Sequence, residues 1–210
     1  MRDVQVGLLP LFGTPNRDSL AYRELYNLDP DHLQTMLRGT LRFPGFWPTV
    51  KLLKAAGALD SRPGSTIDWA GLPADAQDAL RQIGISSEDL VGPTAMDQLA
   101  NALWQHLQYQ TDDQDMVLLQ HVIEAGNADT SVRVTAEVQL LGDKVPHGLS
   151  AMARTVGAPA ALATDYVLAG DALVAGKGVL RPLNVDLARR FLTDLEAKFG
   201  ITHTMVEKVL

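Results

Sequence analysis

Arginine is the residue type in this sequence whose placement best suits work on a ligand. Arg17 falls in the turn-forming segment Pro15-Asn16-Arg17-Asp18-Ser19, and Arg42 stands between an extended stretch and a Pro-Gly turn in Gly39-Thr40-Leu41-Arg42-Phe43-Pro44-Gly45-Phe46. Both positions are loop junctions, where a fixed scaffold displays binding groups. A planar guanidinium offers paired donors that match a carboxylate, so two of them suit an anionic small molecule. Taken singly, each also reads as an ordinary surface arginine or one that braces the backbone.

Other chemistry finds less support. The histidines His32, His106, His121, His147 and His203 lack metal-ligand spacing and any HExxH arrangement, so no metal site is expected. His121 falls in an extended stretch and reads as a packed or hydrogen-bonded core histidine, whereas for His147, in the loop Pro146-His147-Gly148, the structural reading is weaker and a cleft-facing position stays open. No serine sits in a GxSxG turn and no carboxylate pair stands at glycosidase-like spacing, so no catalytic residue is assigned. A dinucleotide site needs a strand, a Gly-rich turn and a helix whose N-terminus faces the pyrophosphate. Gly176-Lys177-Gly178 follows a helix, lacks the third glycine and reads as a plain loop.

Bulk properties narrow the class further. A chain of 210 residues, 46% hydrophobic and 20% charged, can bury its own core. It has no cysteine, which excludes disulfides, thiolate zinc sites and thiol redox sensing. A net charge of -7 with no Lys/Arg cluster argues against nucleic acid. The apolar stretches break well short of the ~20 residues a membrane span needs, and no basic segment leads into an apolar one. The expectation is a cytoplasmic protein without nucleic-acid or membrane partners.

The elements that must hold the arginines follow from periodicity. Val4, Val6 and Leu8 alternate as a strand, ended by Pro10 and a turn at Gly13-Thr14-Pro15-Asn16. A start inside a core strand suggests a cut within a larger protein. Thr35 to Thr40 suits a short strand; a helix follows with Pro48 at its first position and Gly57 just past its end. Pro73 to Ile83 and Ala95 to Tyr109 predict helices, the second opened by Thr94 and Asp97. Asp115 to Glu124 and Ser131 to Leu141 predict strands joined through Gly126-Asn127-Ala128-Asp129. Ser150 caps a helix that Gly157 and Pro159 should bend or interrupt before Leu168, and Asn184 caps a last helix ending at Gly200. This order gives an α+β fold with a mixed or antiparallel sheet, packed helices and a small helical insertion.

Four of these segments occur together in a recognisable order. Pro15 to Ser19, Arg38 to Phe46, Asp115-Met116-Val117-Leu118-Leu119-Gln120-His121, and Ser150-Ala151-Met152-Ala153-Arg154-Thr155-Val156-Gly157 with Pro159 resemble the NADP-dependent, glutamate-forming saccharopine dehydrogenases. The sequence departs from that pattern at His147-Gly148-Leu149, where Gly-Gly-Tyr is usual, at Arg154 for lysine and at Ala158 for leucine.

The resemblance implies a Rossmann domain that these residues lack, followed by a domain like the C-terminal one of dihydrodipicolinate and glyceraldehyde-phosphate dehydrogenases. It implies residues 1–59 and 115–150 as substrate-binding and dimerisation domain, 60–114 as helical insertion, and 151–210 as helices packing towards the nucleotide-binding domain. Carried over residue by residue, Arg17, Thr40, Leu41 and Arg42 match the family's substrate-contacting positions. The family's reaction removes hydride beside the secondary amine of saccharopine, and water opens the resulting imine to glutamate and 2-aminoadipate semialdehyde. The expected partners are therefore an amino-dicarboxylate, a second copy of the chain and the missing Rossmann domain. NADP would bind to that domain, with none bound by this chain alone, which would then be inactive by itself. A free-standing binding or assembly subunit that docks on a separate Rossmann protein is the alternative.

Overall fold

The structure is a computed structural model that describes residues 2–127 and 129–210. It is α+β and divides after Gln108 into two compact units.

The first unit begins with three antiparallel strands in the order β1 (Arg2–Val6), β2 (Leu9–Pro15) and β3 (Gly39–Arg42). Gly7, at φ 56°, turns β1 into β2 and leaves Leu8 exposed at the tip, off the core face its spacing suggested. Gly13, Thr14 and Pro15 belong to β2, where a turn was expected. Gly13 is tolerated there because a Cβ would lie 3.0 Å from the Val4 side chain, and Pro15 closes the strand against Gly39. Strand β3 starts four residues later than Thr35, so Arg42 is its last residue. Alternation then puts Val4, Val6, Leu11 and Leu41 on one face, with Val6 and Leu11 buried, and Phe12, Thr14, Thr40 and Arg42 on the other.

Short helix α1 (Ala21–Leu25) precedes β3; α2 (Phe46–Ala55), α3 (Ala74–Gln82), a 3-10 turn (Ser87–Asp89) and α4 (Ala95–His106) follow it. Pro48 occupies the third position of α2 instead of the first, still within the turn whose N–H groups have no helical partner. Leu53, Leu72, Leu80, Ile85 and Leu99 form the buried core of these helices. Gln98 is buried among them but satisfied, accepting from the Ile67 N–H at 3.0 Å and donating to the Gly92 carbonyl at 3.3 Å. Helix α4 stops three residues before Tyr109, after His106 reaches Asp89 at 3.0 Å.

The second unit carries a separate antiparallel sheet, β4 (Met116–Gly126), β5 (Ser131–Leu141) and β6 (Thr204–Val209), in that order. Periodicity gave no sign of β6, which pairs with a strand some seventy residues before it (Val132 against Val209). In the β4–β5 turn, Asn127 Oδ1 accepts from the Asp129 and Thr130 N–H groups; Ala128 lies outside the described residues. Helix α5 (Ala151–Leu168) runs without interruption through Gly157 and Pro159, contrary to expectation. Its N-terminus is held by Ser150 and by Asp115, whose carboxylate accepts from the Ala151 and Met152 N–H groups at 2.6 and 2.9 Å. Leu162 and Tyr166 of α5 pack on Leu187 and Phe191 of α6 (Val185–Phe199), and Arg154 donates to the Phe199 carbonyl at 2.9 Å. His121 is exposed, not a core histidine, with Leu119 and Ile123 of the same strand face exposed on either side of it.

Candidate functional site

All four sequence-nominated residues fall in the first unit, but the antiparallel β2–β3 pairing spreads them along its length: Arg17 lies past the end where Pro15 faces Gly39, Arg42 lies at the other end, opposite Phe12, and Thr40 and Leu41 stand between. Thr40 and Arg42 are two apart on β3, so their side chains share the face that does not hold the core. Leu41 between them turns to the core face, its Cδ2 lying 3.9 Å from where a Cβ on Gly13 would stand. What Leu41 can offer a ligand is its backbone.

Arg42 is held without being neutralised. Its guanidinium sits 5.1 Å from the centre of the Phe46 ring and donates one hydrogen bond, 3.0 Å long, to the Leu41 carbonyl. Four of the five N–H donors of a guanidinium are then free. Arg17 lies two residues beyond β2 with φ 63°, a left-handed conformation that costs a non-glycine residue about 1–2 kcal/mol. Among the described residues no hydrogen bond or ion pair engages the Arg17 side chain, and no carboxylate pairs with Arg42. Such strain persists only where neighbours enforce it. Here Asn16 does so: its N–H bonds to the Arg38 carbonyl at 2.9 Å, and its Nδ2 donates to Thr40 Oγ1 at 2.8 Å. The loop bearing Arg17 is thereby fastened across to Thr40.

Asn16 escaped the sequence reading; its only signal was a turn-forming type beside an arginine. Arg38 makes a useful contrast, since its guanidinium is spent on Tyr22, with the hydroxyl at 2.8 Å and the ring centre at 5.7 Å. Of the arginines around this loop, Arg17 and Arg42 are the ones left available.

A different concavity, of about 360 Å³, belongs to the second unit and is lined by Arg133, Thr135, Glu137, Thr204, Val206 and Lys208. Most of its charge is already matched: Arg133 pairs with Glu124, and Glu137 accepts from Gln120 at 2.6 Å. The uncommitted arginines of the first unit are the better anion-binding groups on chemical grounds. Among the described residues no group of three His, Asp or Glu could hold a metal, and no helix is long and apolar enough to cross a membrane. Gly176-Lys177-Gly178 follows a 3-10 turn (Ala172–Val174) and opens no helix, so it does not fit a dinucleotide pyrophosphate.

Comparison with known proteins bears on this arrangement. The chain is 32% identical over 225 residues to saccharopine dehydrogenase [NADP(+), L-glutamate-forming] of Saccharomyces cerevisiae, covering 89% of this chain and 49% of that protein. It is 26% identical to the mitochondrial alpha-aminoadipic semialdehyde synthase of Bos taurus, covering 93% of this chain and 24% of that one. The solved structure of apo saccharopine dehydrogenase (L-Glu forming) from Saccharomyces cerevisiae superposes with a TM-score of 0.82 at 27% identity, over 100% of this chain and 54% of the other. The chain thus spans between about a quarter and just over half of the length of these relatives. The sequence profile of the saccharopine dehydrogenase C-terminal domain matches residues 2–201, and the chain belongs to that family.

Proposed function

We propose that this chain is the substrate-holding part of an NADP-dependent oxidoreductase of lysine metabolism that acts on saccharopine. The observation that carries the reading is the two uncommitted arginines, Arg42 on the Thr40 face of β3 and Arg17 next to the Asn16 that bonds Thr40, together with family membership. Saccharopine is a polycarboxylate, and each guanidinium can hold one carboxylate through charge-assisted hydrogen bonds contributing about 1.5–3 kcal/mol. Thr40 and the Leu41 backbone supply neutral polar contacts between them. These residues bind and orient; none of them is assigned to proton transfer.

Because no described segment fits a dinucleotide, hydride transfer is left to a nucleotide-binding unit outside these residues. The chain alone then binds its ligand and turns nothing over. The second sheet supports self-association: Leu119, Ile123 and Met205 share one face of it and are exposed, which suits a homodimer.

Titration of the 15N-labelled chain with saccharopine, followed by backbone amide shifts, tests the assignment. Shifts should concentrate at residues 16–17 and 40–42, and lysine, with a single carboxylate and a net positive charge, should leave them in place. Equal responses to saccharopine and lysine would reject the carboxylate clamp.

A further inference from the structure

We infer that Asn16 is a positioning residue that aims the Thr40 hydroxyl proton at a ligand carboxylate. The inference rests on the reading of Thr40 as a substrate contact. A threonine hydroxyl has one proton to give and two lone pairs to receive with. Asn16 Nδ2 donates into Thr40 Oγ1 at 2.8 Å, so one lone pair is occupied by the protein. Among the described residues no acceptor takes the Thr40 hydroxyl proton, while the neighbouring Thr14 hydroxyl points its own proton at the Thr40 carbonyl, 3.5 Å away. The backbone N–H of Asn16 also ties the loop to the Arg38 carbonyl, so the loop keeps a tether when the side-chain bond is removed.

The direction of that bond has a chemical consequence. With the amide as donor, half of the accepting capacity of Thr40 Oγ1 is taken while its proton stays uncommitted, so the hydroxyl favours an acceptor on the ligand. A carboxylate suits this hydroxyl and the Arg42 guanidinium, which shares its face of the sheet. An ammonium is served only by the one remaining lone pair and is repelled by Arg42. Asn16 therefore biases the site towards anions without touching one.

A double-mutant cycle on the full 210-residue chain tests this, reading saccharopine dissociation constants from amide shifts for wild type, N16A, T40A and N16A/T40A. N16A should weaken binding about three- to tenfold when Thr40 is present, and T40A by a comparable factor. Adding N16A to T40A should then cost nothing further. N16D, whose carboxylate would take the Thr40 proton, should weaken binding more than N16A, and by less once T40A is in place. An N16A effect of the same size with and without Thr40 would show a merely structural loop clamp and overturn the inference, as would an unchanged affinity in N16A. If saccharopine binds but R17A and R42A leave its affinity intact, the substrate reading itself fails, and this inference falls with it. That outcome differs from one in which the arginine variants lose affinity and only the cycle is additive.

Discussion

On the proposed reading, Arg42 has little left to organise when a ligand binds. The Phe46 ring beneath it and the Leu41 carbonyl beside it restrict the long side chain, so less conformational freedom is lost when a carboxylate arrives. Truncation by R42A should weaken saccharopine binding by about 2–5 kcal/mol, read by calorimetry. R42K should recover only part of this, because an ammonium cannot form the paired fork. Arg17 gives a different signature. R17G should fold with a stability within about 1 kcal/mol of wild type, as relief of left-handed strain offsets the added chain entropy. The same variant should lose saccharopine affinity. Denaturation together with titration separates the two effects, and a large stability loss in R17G would argue that the arginine is there for structure.

Charge also sets how the first unit responds to acid. The Ser86 N–H, the His106 ring and the Ser86 hydroxyl hold the Asp89 carboxyl at about 2, below its ordinary 3.8. Because the folded value lies below the unfolded one, this contribution is present above pH ~4 and is lost as pH falls through about 2. D89N should remove that part of the acid dependence while leaving the alkaline side unchanged, as followed by urea denaturation at a series of pH values.

At the scale of elements, what the sequence showed and what it hid divide along sequence distance. Thr94, Ser150 and Asn184 were legible as helix starts because each side-chain oxygen accepts from an N–H two or three residues on. The second clamp on α5 was not legible: Asp115 reaches the helix from 36 residues away. It also explains Gly142, where a Cβ would come 2.1 Å from Asp115 Oδ1 and 2.5 Å from the Ala151 nitrogen. G142A should destabilise the second unit by about 1–3 kcal/mol through overpacking, measured by thermal or urea unfolding. Strand β6 was hidden for the same reason as Asp115, since its pairing with β5 is decided by chain that lies far upstream.

The contact between α5 and α6 carries its own pH dependence. Burial and the bond to Asp194, 2.8 Å long, push the Tyr166 hydroxyl up to about 12. A folded value raised above the unfolded 10 stabilises the second unit below pH ~10, and that stabilisation is lost as pH climbs towards 12. Y166F, which keeps the ring against Phe191, should cost about 1 kcal/mol at neutral pH and blunt the alkaline loss.

Across the whole molecule, the two units present surfaces of opposite kind. The first offers cationic groups with few anionic partners along β3 and the loop after β2; the second offers an apolar sheet face on which Leu119 is 47% and Ile123 59% exposed. If that face meets a second copy as proposed, I123E should shift sedimentation from dimer to monomer while leaving saccharopine binding in the first unit unaltered. Fold class was readable from the order of strands and helices, but not that the strands make two separate sheets, because alternation within a strand says nothing about which neighbour it joins. Likewise Arg17, Thr40 and Arg42 could be nominated from the sequence, whereas the Asn16 bond that fastens their loop required the register of β2 on β3.

A crystal structure of the chain soaked with saccharopine tests the central assignment most directly. Carboxylates should lie about 2.7–2.9 Å from the guanidinium nitrogens of Arg17 and Arg42, with Thr40 donating to one of them. Density for the ligand in the hollow between Arg133 and Lys208, with both arginines bare, would contradict it.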